Sequence, residues 1–246
     1  MAKKVVIVGG VAGGASTAAR LRRLDENCEI TIFEKGEYIS FANCGLPYYI
    51  GDVITERDNL IVQTIEGMKE RFNLNNKNFS EVVAINRDIK TVTVKNVKTG
   101  ETYEKDYDVL VLSPGAKPIV PPIEGLSEAR NLFTLRNIPD TDRIKAFVNK
   151  KRPSNAVIVG GGFIGLEMAE NLRELGINVT IVEMLNQVMA PLDFEMAQIV
   201  HRHLISHRVN LILEDGVKAF ANNGSKIILN SGREIDTDMT ILSIGV

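Results

Sequence analysis

Hydrophobic positions in this chain fall into short uninterrupted runs, each closed by a glycine turn and followed by a helical stretch. Val5-Val6-Ile7-Val8 ends at Gly9-Gly10; Ala18, Leu21 and Leu24 then recur at helical spacing, and a second run, Ile30-Thr31-Ile32-Phe33, ends at Glu34. The same order returns later: Ala156-Val157-Ile158-Val159 ends at Gly160-Gly161-Gly162, Leu166, Ala169, Leu172 and Leu175 mark a helix face, and Val179-Thr180-Ile181-Val182 ends at Glu183. β-Branched runs of this length suit strands buried on both faces, which predicts parallel sheets covered by helices. The intervening period of three to four residues predicts amphipathic helices.

The duplication continues downstream. Asp108-Val109-Leu110-Val111-Leu112-Ser113-Pro114-Gly115 matches Asp238-Met239-Thr240-Ile241-Leu242-Ser243-Ile244-Gly245 position for position. Before each closing run lies hairpin-like sequence, alternating around Val92 and Val94 with a turn at Thr99-Gly100 in the first copy, and punctuated by Gly224 and Ser231-Gly232 in the second. The first copy is longer, and the stretch around Cys44 has no counterpart in the second. The pattern predicts an α/β protein of two Rossmann-like dinucleotide-binding units, each a parallel sheet with a β-meander. The expected boundaries are a first domain over 1–117, a connecting segment over 118–153 entered through the proline-rich stretch 114–122, and a second domain over 154–246.

Composition narrows the function classes. The 246 residues are 44% hydrophobic and 24% charged, as in ordinary globular proteins. Lys and Arg number 29 against 31 Asp and Glu, a net charge of −2 with no basic run, which argues against a nucleic-acid partner. Two cysteines without a framework of pairs point to a reducing compartment. No apolar stretch approaches the roughly 20 residues of a membrane helix, and Val5 to Val8 is too short for the core of a signal peptide. The expectation is a soluble, cytoplasmic protein that binds no membrane.

The glycine turns carry specific chemistry. Gly160-x-Gly162-x-x-Gly165 follows a strand and opens a helix: the first glycine permits the tight turn, the second lets a pyrophosphate approach the backbone, and the third lets helix and strand pack closely. The pyrophosphate then sits on free amides at a helix N-terminus. Glu183, 23 residues after Gly160, is placed to accept hydrogen bonds from the adenosine ribose hydroxyls. A 2′-phosphate beside that carboxylate is repelled, and residues 184–187 include no arginine to attract one, so NADH is expected in preference to NADPH. The first copy has Gly9, Gly10 and Gly14 but Val11 at the middle position, with Glu34 as its ribose carboxylate. Two such sites in one chain point to two dinucleotides, a bound flavin and the nicotinamide that reduces it.

Cys44 lies in the insert of the first copy, within Asn43-Cys44-Gly45-Leu46-Pro47-Tyr48. Pro47 belongs in the first turn of a helix, which puts Asn43 or Cys44 at the cap, where free amides and the helix dipole favour a thiolate. A thiolate is the nucleophile of disulfide exchange. Position 49 is Tyr, so a CxxxxC dithiol is absent, and Cys28, at a polar turn before a strand, reads as structural. Oxidised Cys44 is therefore expected as a mixed disulfide or persulfide with an external thiol, or as a sulfenic acid.

With these motifs, joined by the Gly9 to Ala15 turn, Glu37-Tyr38-Ile39-Ser40-Phe41-Ala42 and Phe133-Thr134-Leu135-Arg136-Asn137, the sequence resembles the single-cysteine flavoprotein disulfide reductases, especially the coenzyme A-disulfide reductases and NADH-dependent persulfide or polysulfide reductases. Val11 is usual in that family. The resemblance implies a glutathione-reductase-type fold and transfer of electrons from NADH through FAD to a coenzyme A-linked disulfide, persulfide or polysulfide at catalytic Cys44. It implies an FAD site formed by Gly9, Gly10, Val11, Ala12, Gly13, Gly14, Glu34, Lys35, the backbone of Glu81, Val82 and Val83, and Ser113, Pro114 and Gly115. It implies a nicotinamide site of Gly160, Gly162, Phe163, Ile164, Gly165, Glu167 and Glu183, and coenzyme A contacts from Ser16, Arg20, Arg23, Ser40, Asn43 and Arg71. Family members also return to complete the flavin domain and add a homodimerisation domain, and the chain is expected to lack both. The alternatives are reduction of dioxygen or peroxide through a cysteine sulfenate, and a non-catalytic nucleotide-binding fragment. His201, His203 and His207 are expected on a solvated helix, with no metal site.

Overall fold

The computed structural model describes residues 2–246. They form two compact units, one of residues 2–42 and Asp58–Ala116, the other of Asn43–Arg57 and Lys117–Val246.

The first unit begins with β1 (Lys4–Val8), α1 (Ala12–Leu24) and β2 (Glu29–Phe33). After β2 the chain leaves for α2 (Leu46–Ile50), a helix of the second unit, and returns through α3 (Ile65–Phe72) to β3 (Asn75–Lys77). An antiparallel meander of β4 (Ser80–Asn86), β5 (Thr91–Asn96) and β6 (Thr102–Asp106) leads to β7 (Val109–Leu112). The parallel sheet has the order β3-β2-β1-β7. Its core joins Val5, Ile7, Ile30 and Ile32 of the strands to Ala15 and Ala18 of α1 and Met68 of α3, with Cys28 among them. Each such aliphatic side chain, once removed from water, contributes about 1.5–3 kcal/mol. Leu24, expected on the apolar face of α1, is 67% exposed. Three-residue steps from Ala18 drift backward, and by Leu24 the direction is about 120° off the buried stripe.

The second unit repeats this plan with an extension at its start. β8 (Leu132–Phe133) and α4 (Ile138–Lys151) precede β9 (Asn155–Val159), α5 (Phe163–Glu174), β10 (Asn178–Val182), α6 (Phe194–Ser206), β11 (Asn210–Ile212), the meander β12 (Val217–Ala221), β13 (Lys226–Leu229) and β14 (Glu234–Asp236), and β15 (Met239–Leu242). The parallel sheet runs β11-β10-β9-β15-β8. Asn137 caps α4 by accepting the Asp140 amide, and Pro139 occupies its first turn.

This partition differs from the boundaries expected from sequence. Residues 118–153 supply β8 and α4 to the second unit, and residues 43–57 pack there too, because α2 lies against α4 and α5. The Thr141 hydroxyl donates to the Leu46 carbonyl at 2.9 Å, and the Arg57 guanidinium meets the Asp142 carboxylate at 2.6 Å.

Candidate functional site

Strands β1 and β9 end in the same tight turn. Gly9 has φ 95° and Gly160 φ 106°, in the left-handed region that favours glycine. A Cβ at Gly14 would lie 1.8 Å from the Gly9 carbonyl oxygen, and one at Gly165 would lie 2.1 Å from that of Gly160, so each helix presses directly on its strand turn. Gly162 is different: its backbone (φ −82°, ψ −173°) suits any residue, and a Cβ there would meet no atom within 4 Å. Val11 holds the equivalent place before α1. No side chain caps either α1 or α5, which leaves the first-turn amides of both helices to an anion. An open approach over a glycine, uncapped helix starts and a carboxylate at the next strand end fit a dinucleotide pyrophosphate and its ribose.

Both carboxylates are held by backbone amides. Glu34 accepts from Gly10 through Oε2 at 2.8 Å and from Gly36 through Oε1 at 2.8 Å. Glu183 accepts from Gly161 through Oε2 at 2.6 Å and from Leu185 through Oε1 at 2.9 Å. Each oxygen keeps a further lone pair for a hydroxyl donor. After Glu183 come exposed Met184 and Leu185 and then Asn186 and Gln187, with no cationic side chain among them.

In the first unit Ser113, Pro114 and Gly115 follow β7, and the Ser113 carbonyl packs against the Gly9 turn. Ala12 and Gly13 are exposed at the start of α1 and Lys35 is exposed just after Glu34. The register of β4 against β5 shifts between Val82 and Ala84, which makes Val83 the extra residue of a bulge and turns its backbone out of the regular ladder. In the second unit Phe163, the first residue of α5, is 64% exposed, Ile164 follows half-buried, and Glu167 stands one turn on. Burial pushes the Glu167 carboxyl up from its ordinary range, and Glu170 adds to the rise.

The two thiols are in opposite environments. Cys28 is 4% exposed, and its Sγ donates to the Asp25 carbonyl at 3.2 Å. Cys44 is exposed in a 3-10 turn, Asn43–Gly45, that leads into α2. The cap of α2 is Gly45, so the expectation that Asn43 or Cys44 occupies it is corrected: Pro47 stands in the first turn, and the 3-10 turn places both residues ahead of the cap. Neither thiol is in a disulfide, and Cys28 belongs to the first unit while Cys44 belongs to the second.

Residues 3–246 match the family model described as pyridine nucleotide-disulphide oxidoreductase. The chain belongs to this family. Among solved structures it is similar to reduced Bacillus anthracis CoADR-RHD, with 64% identity and a TM-score of 0.97 over all of this chain and 44% of that one. It is similar also to an NAD-dependent persulfide reductase from A. fulgidus, with 36% identity and a TM-score of 0.92 over 98% of this chain and 46% of that one. Coenzyme A disulfide reductase of Staphylococcus haemolyticus is 39% identical over 244 residues, 99% of this chain and 54% of the relative. The chain thus spans about half the length of the curated relatives it matches.

The residues that the family resemblance assigns to coenzyme A divide between the units. Ser16, Arg20 and Arg23 are exposed on α1, Ser40 is half-buried with φ 46°, and Arg71 is exposed on α3, all in the first unit; Asn43 is exposed beside Cys44 in the second. Arg22, between the two exposed arginines of α1, is spent on structure, donating to carbonyls that include Phe72, Glu26 and Cys28 at 2.8 Å and Asn73 at 3.0 Å.

Two further residues bear on the site without standing out from sequence. Tyr48 sits in α2, four residues after Cys44 in the turn that precedes it, and that nearness in sequence was the available signal. Partial burial raises its phenol above the usual range, with Glu170, Glu167 and Cys44 contributing, which keeps it protonated at neutral pH. His201 is not on a solvated face as expected but 6% exposed, and its Nε2 accepts the Val188 amide at 3.1 Å. Burial holds its imidazole below the ordinary range, hence neutral. Val188 in turn packs on the glycine turn after β9, for a Cβ at Gly161 would lie 2.7 Å from its side chain. His203 and His207 are exposed, as the helix pattern implied.

Proposed function

We propose that this chain is the nucleotide-binding part of an NADH-dependent reductase of coenzyme A-linked disulfides or persulfides, with Cys44 as its single redox thiol. The observation that carries the reading is the exposure of Cys44 in a turn with no second thiol in its own unit, while the chain's other cysteine is buried in the first-unit core. The names of the relatives from B. anthracis, A. fulgidus and S. haemolyticus support the substrate class and the nicotinamide donor.

In this reading Gly9, Gly10, Gly14, Glu34 and the Val83 bulge hold FAD, and Gly160, Gly162, Gly165 and Glu183 hold NADH. Bound FAD supplies the relay of an electron pair between nicotinamide and sulfur. Cys44 acts as nucleophile: its thiolate attacks one sulfur of the substrate, the substrate S–S bond breaks as a Cys44–sulfur bond forms, and the first thiolate leaves and takes a proton. Two electrons originating in NADH then cleave the mixed disulfide, releasing the second thiol and restoring Cys44. Arg20 and Arg23, one helical turn apart, bind the coenzyme A phosphates. Glu183 and the cation-free loop after it favour NADH over NADPH.

The test is NADH consumption driven by coenzyme A disulfide in the flavin-loaded protein, with Cys44→Ser beside the parent. Loss of disulfide-dependent turnover in Cys44→Ser supports the reading. Retained turnover, or turnover driven by dioxygen or peroxide with no response to the disulfide, overturns it.

A further inference from the structure

Lys145 is a charged residue on α4 that the reaction does not use, yet it is 9% exposed. Its Nζ donates to the Ile50 carbonyl at 2.9 Å and to Asp52 Oδ1 at 2.5 Å, and lies 5.6 Å from the centre of the Tyr49 ring. Ile50 ends α2, so its carbonyl has no partner within the helix, and a cation there also complements the dipole. One turn earlier on α4, the fully buried Thr141 hydroxyl donates to the carbonyl of Leu46, the first residue of α2. Next to it Asp142 takes the Arg57 guanidinium through both carboxylate oxygens at 2.6, 2.9 and 3.1 Å. From α5, buried Asn171 presses on Gly51, where a Cβ would lie 2.2 Å from its Oδ1.

A helix of five residues does not hold itself in water. Its two ends are bonded here to α4, Leu46 to Thr141 and Ile50 to Lys145, and the same lysine meets the side chain of Asp52, whose backbone lies in the left-handed region at φ 64°. An ammonium buried to this degree is costly unless its bonds are made, and those bonds go to the backbone and the side chain that terminate the helix behind the thiol.

We propose that Lys145 is a positioning residue for Cys44: by fixing the end of α2 it sets the orientation of the Asn43–Gly45 turn that carries the sulfur. The proposal rests on the reading of Cys44 as the redox thiol, and its test separates the two. In Lys145→Met, which keeps the length and loses the charge, amide hydrogen exchange across residues 46–52 is expected to quicken about tenfold or more, while residues 28–33 stay as in the parent. In the flavin-loaded protein, kcat for disulfide-dependent NADH oxidation is expected to fall about tenfold with KM for NADH unchanged, because the thiol turn and not the dinucleotide site is disturbed. Reduction of ferricyanide by NADH, which needs no thiol, is expected to persist, and Lys145→Arg is expected to recover part of the disulfide-dependent rate.

Parent-like exchange, or ferricyanide reduction falling in parallel with disulfide reduction, overturns the proposal. If Lys145→Met does not fold, Asp52→Asn takes its place with the same outcomes deciding. Cys44→Ser in the same assays isolates the underlying reading: full disulfide turnover there refutes the redox role of the thiol, whereas the exchange result answers for the hold of Lys145 on α2.

Discussion

Glu183 accepts the Gly161 amide at 2.6 Å, and the pair has a counterpart in Glu34 and Gly10 at 2.8 Å. The carboxylate after β2 is tied to the turn after β1, and the carboxylate after β10 to the turn after β9. The tie holds the acid in one orientation without any ligand, the preorganisation that the proposed ribose contact calls for.

Glu183→Ala is therefore expected to weaken NADH binding and, to a smaller degree, the strand turn it is tied to. It exposes the Leu185 amide to water and leaves the amide of buried Gly161 without its acceptor, at an expected cost of about 1–3 kcal/mol in stability, and KM for NADH is expected to rise about tenfold. The ratio of kcat/KM values for NADPH and NADH is expected to rise in the same variant, since the repulsive charge is gone. Steady-state kinetics with both cofactors measures the two effects together.

Gly162 and Gly165 separate binding from stability. Gly162→Ala adds a methyl group into open space at a permitted backbone conformation, so thermal stability is expected to stay within about 0.5 kcal/mol of the parent. The same methyl group obstructs the pyrophosphate approach, and NADH affinity is expected to fall about tenfold. Gly165→Ala puts its Cβ 2.1 Å from the Gly160 carbonyl oxygen, and a loss of about 3 kcal/mol in unfolding free energy is expected. Denaturant unfolding beside NADH titration distinguishes the two variants.

The thiols are expected to differ in reactivity and in structural cost. Iodoacetamide labels Cys44 in the native protein and reaches Cys28 only after unfolding, as peptide mapping would record. Cys44→Ser leaves the melting temperature near that of the parent, because the side chain is exposed. Cys28→Ala removes a buried sulfur from among Ile30, Ile32 and Ala18 and is expected to cost about 1–2 kcal/mol.

His201 gives the second unit an acid sensitivity. Its neutral imidazole accepts the Val188 amide, and burial depresses the pKa in the folded state. The unfolded chain then takes up the proton at higher pH than the folded one, so the stabilisation is complete above about pH 6.5 and is lost as pH falls through the lower folded value. Melting temperature is expected to decline on acidification below that point. His201→Gln is expected to flatten the profile, and calorimetry across the range from pH 7.5 to about 5 checks it.

Much of the fold was legible because its determinants are local. Runs such as Val5 to Val8 and Ala156 to Val159 mark strands covered on both faces, and Val92 and Val94, alternating in β5, are both fully buried as a meander strand requires. Legibility failed where a residue's fate depends on a distant surface. His201 shares a helix end with two exposed histidines yet lies buried against residue 188, whereas the exposure of Leu24 follows from its phase on α1 alone.

What the sequence determined by itself is the duplicated strand-turn-helix unit and the places of its glycines and strand-end carboxylates. A left-handed φ at Gly9 or Gly160 and a helix pressed on a strand at Gly14 or Gly165 are demands of backbone sterics that few other residues meet, so they show in the one-dimensional pattern. Only the tertiary structure decided that the segment bearing Cys44 packs with α4 and α5, that Gly45 is its cap, and that a buried lysine 101 positions away from the cysteine secures its helix. Those outcomes depend on which carbonyls are left without partners after folding, and polar groups separated so far in sequence meet only once the sheets and helices have formed.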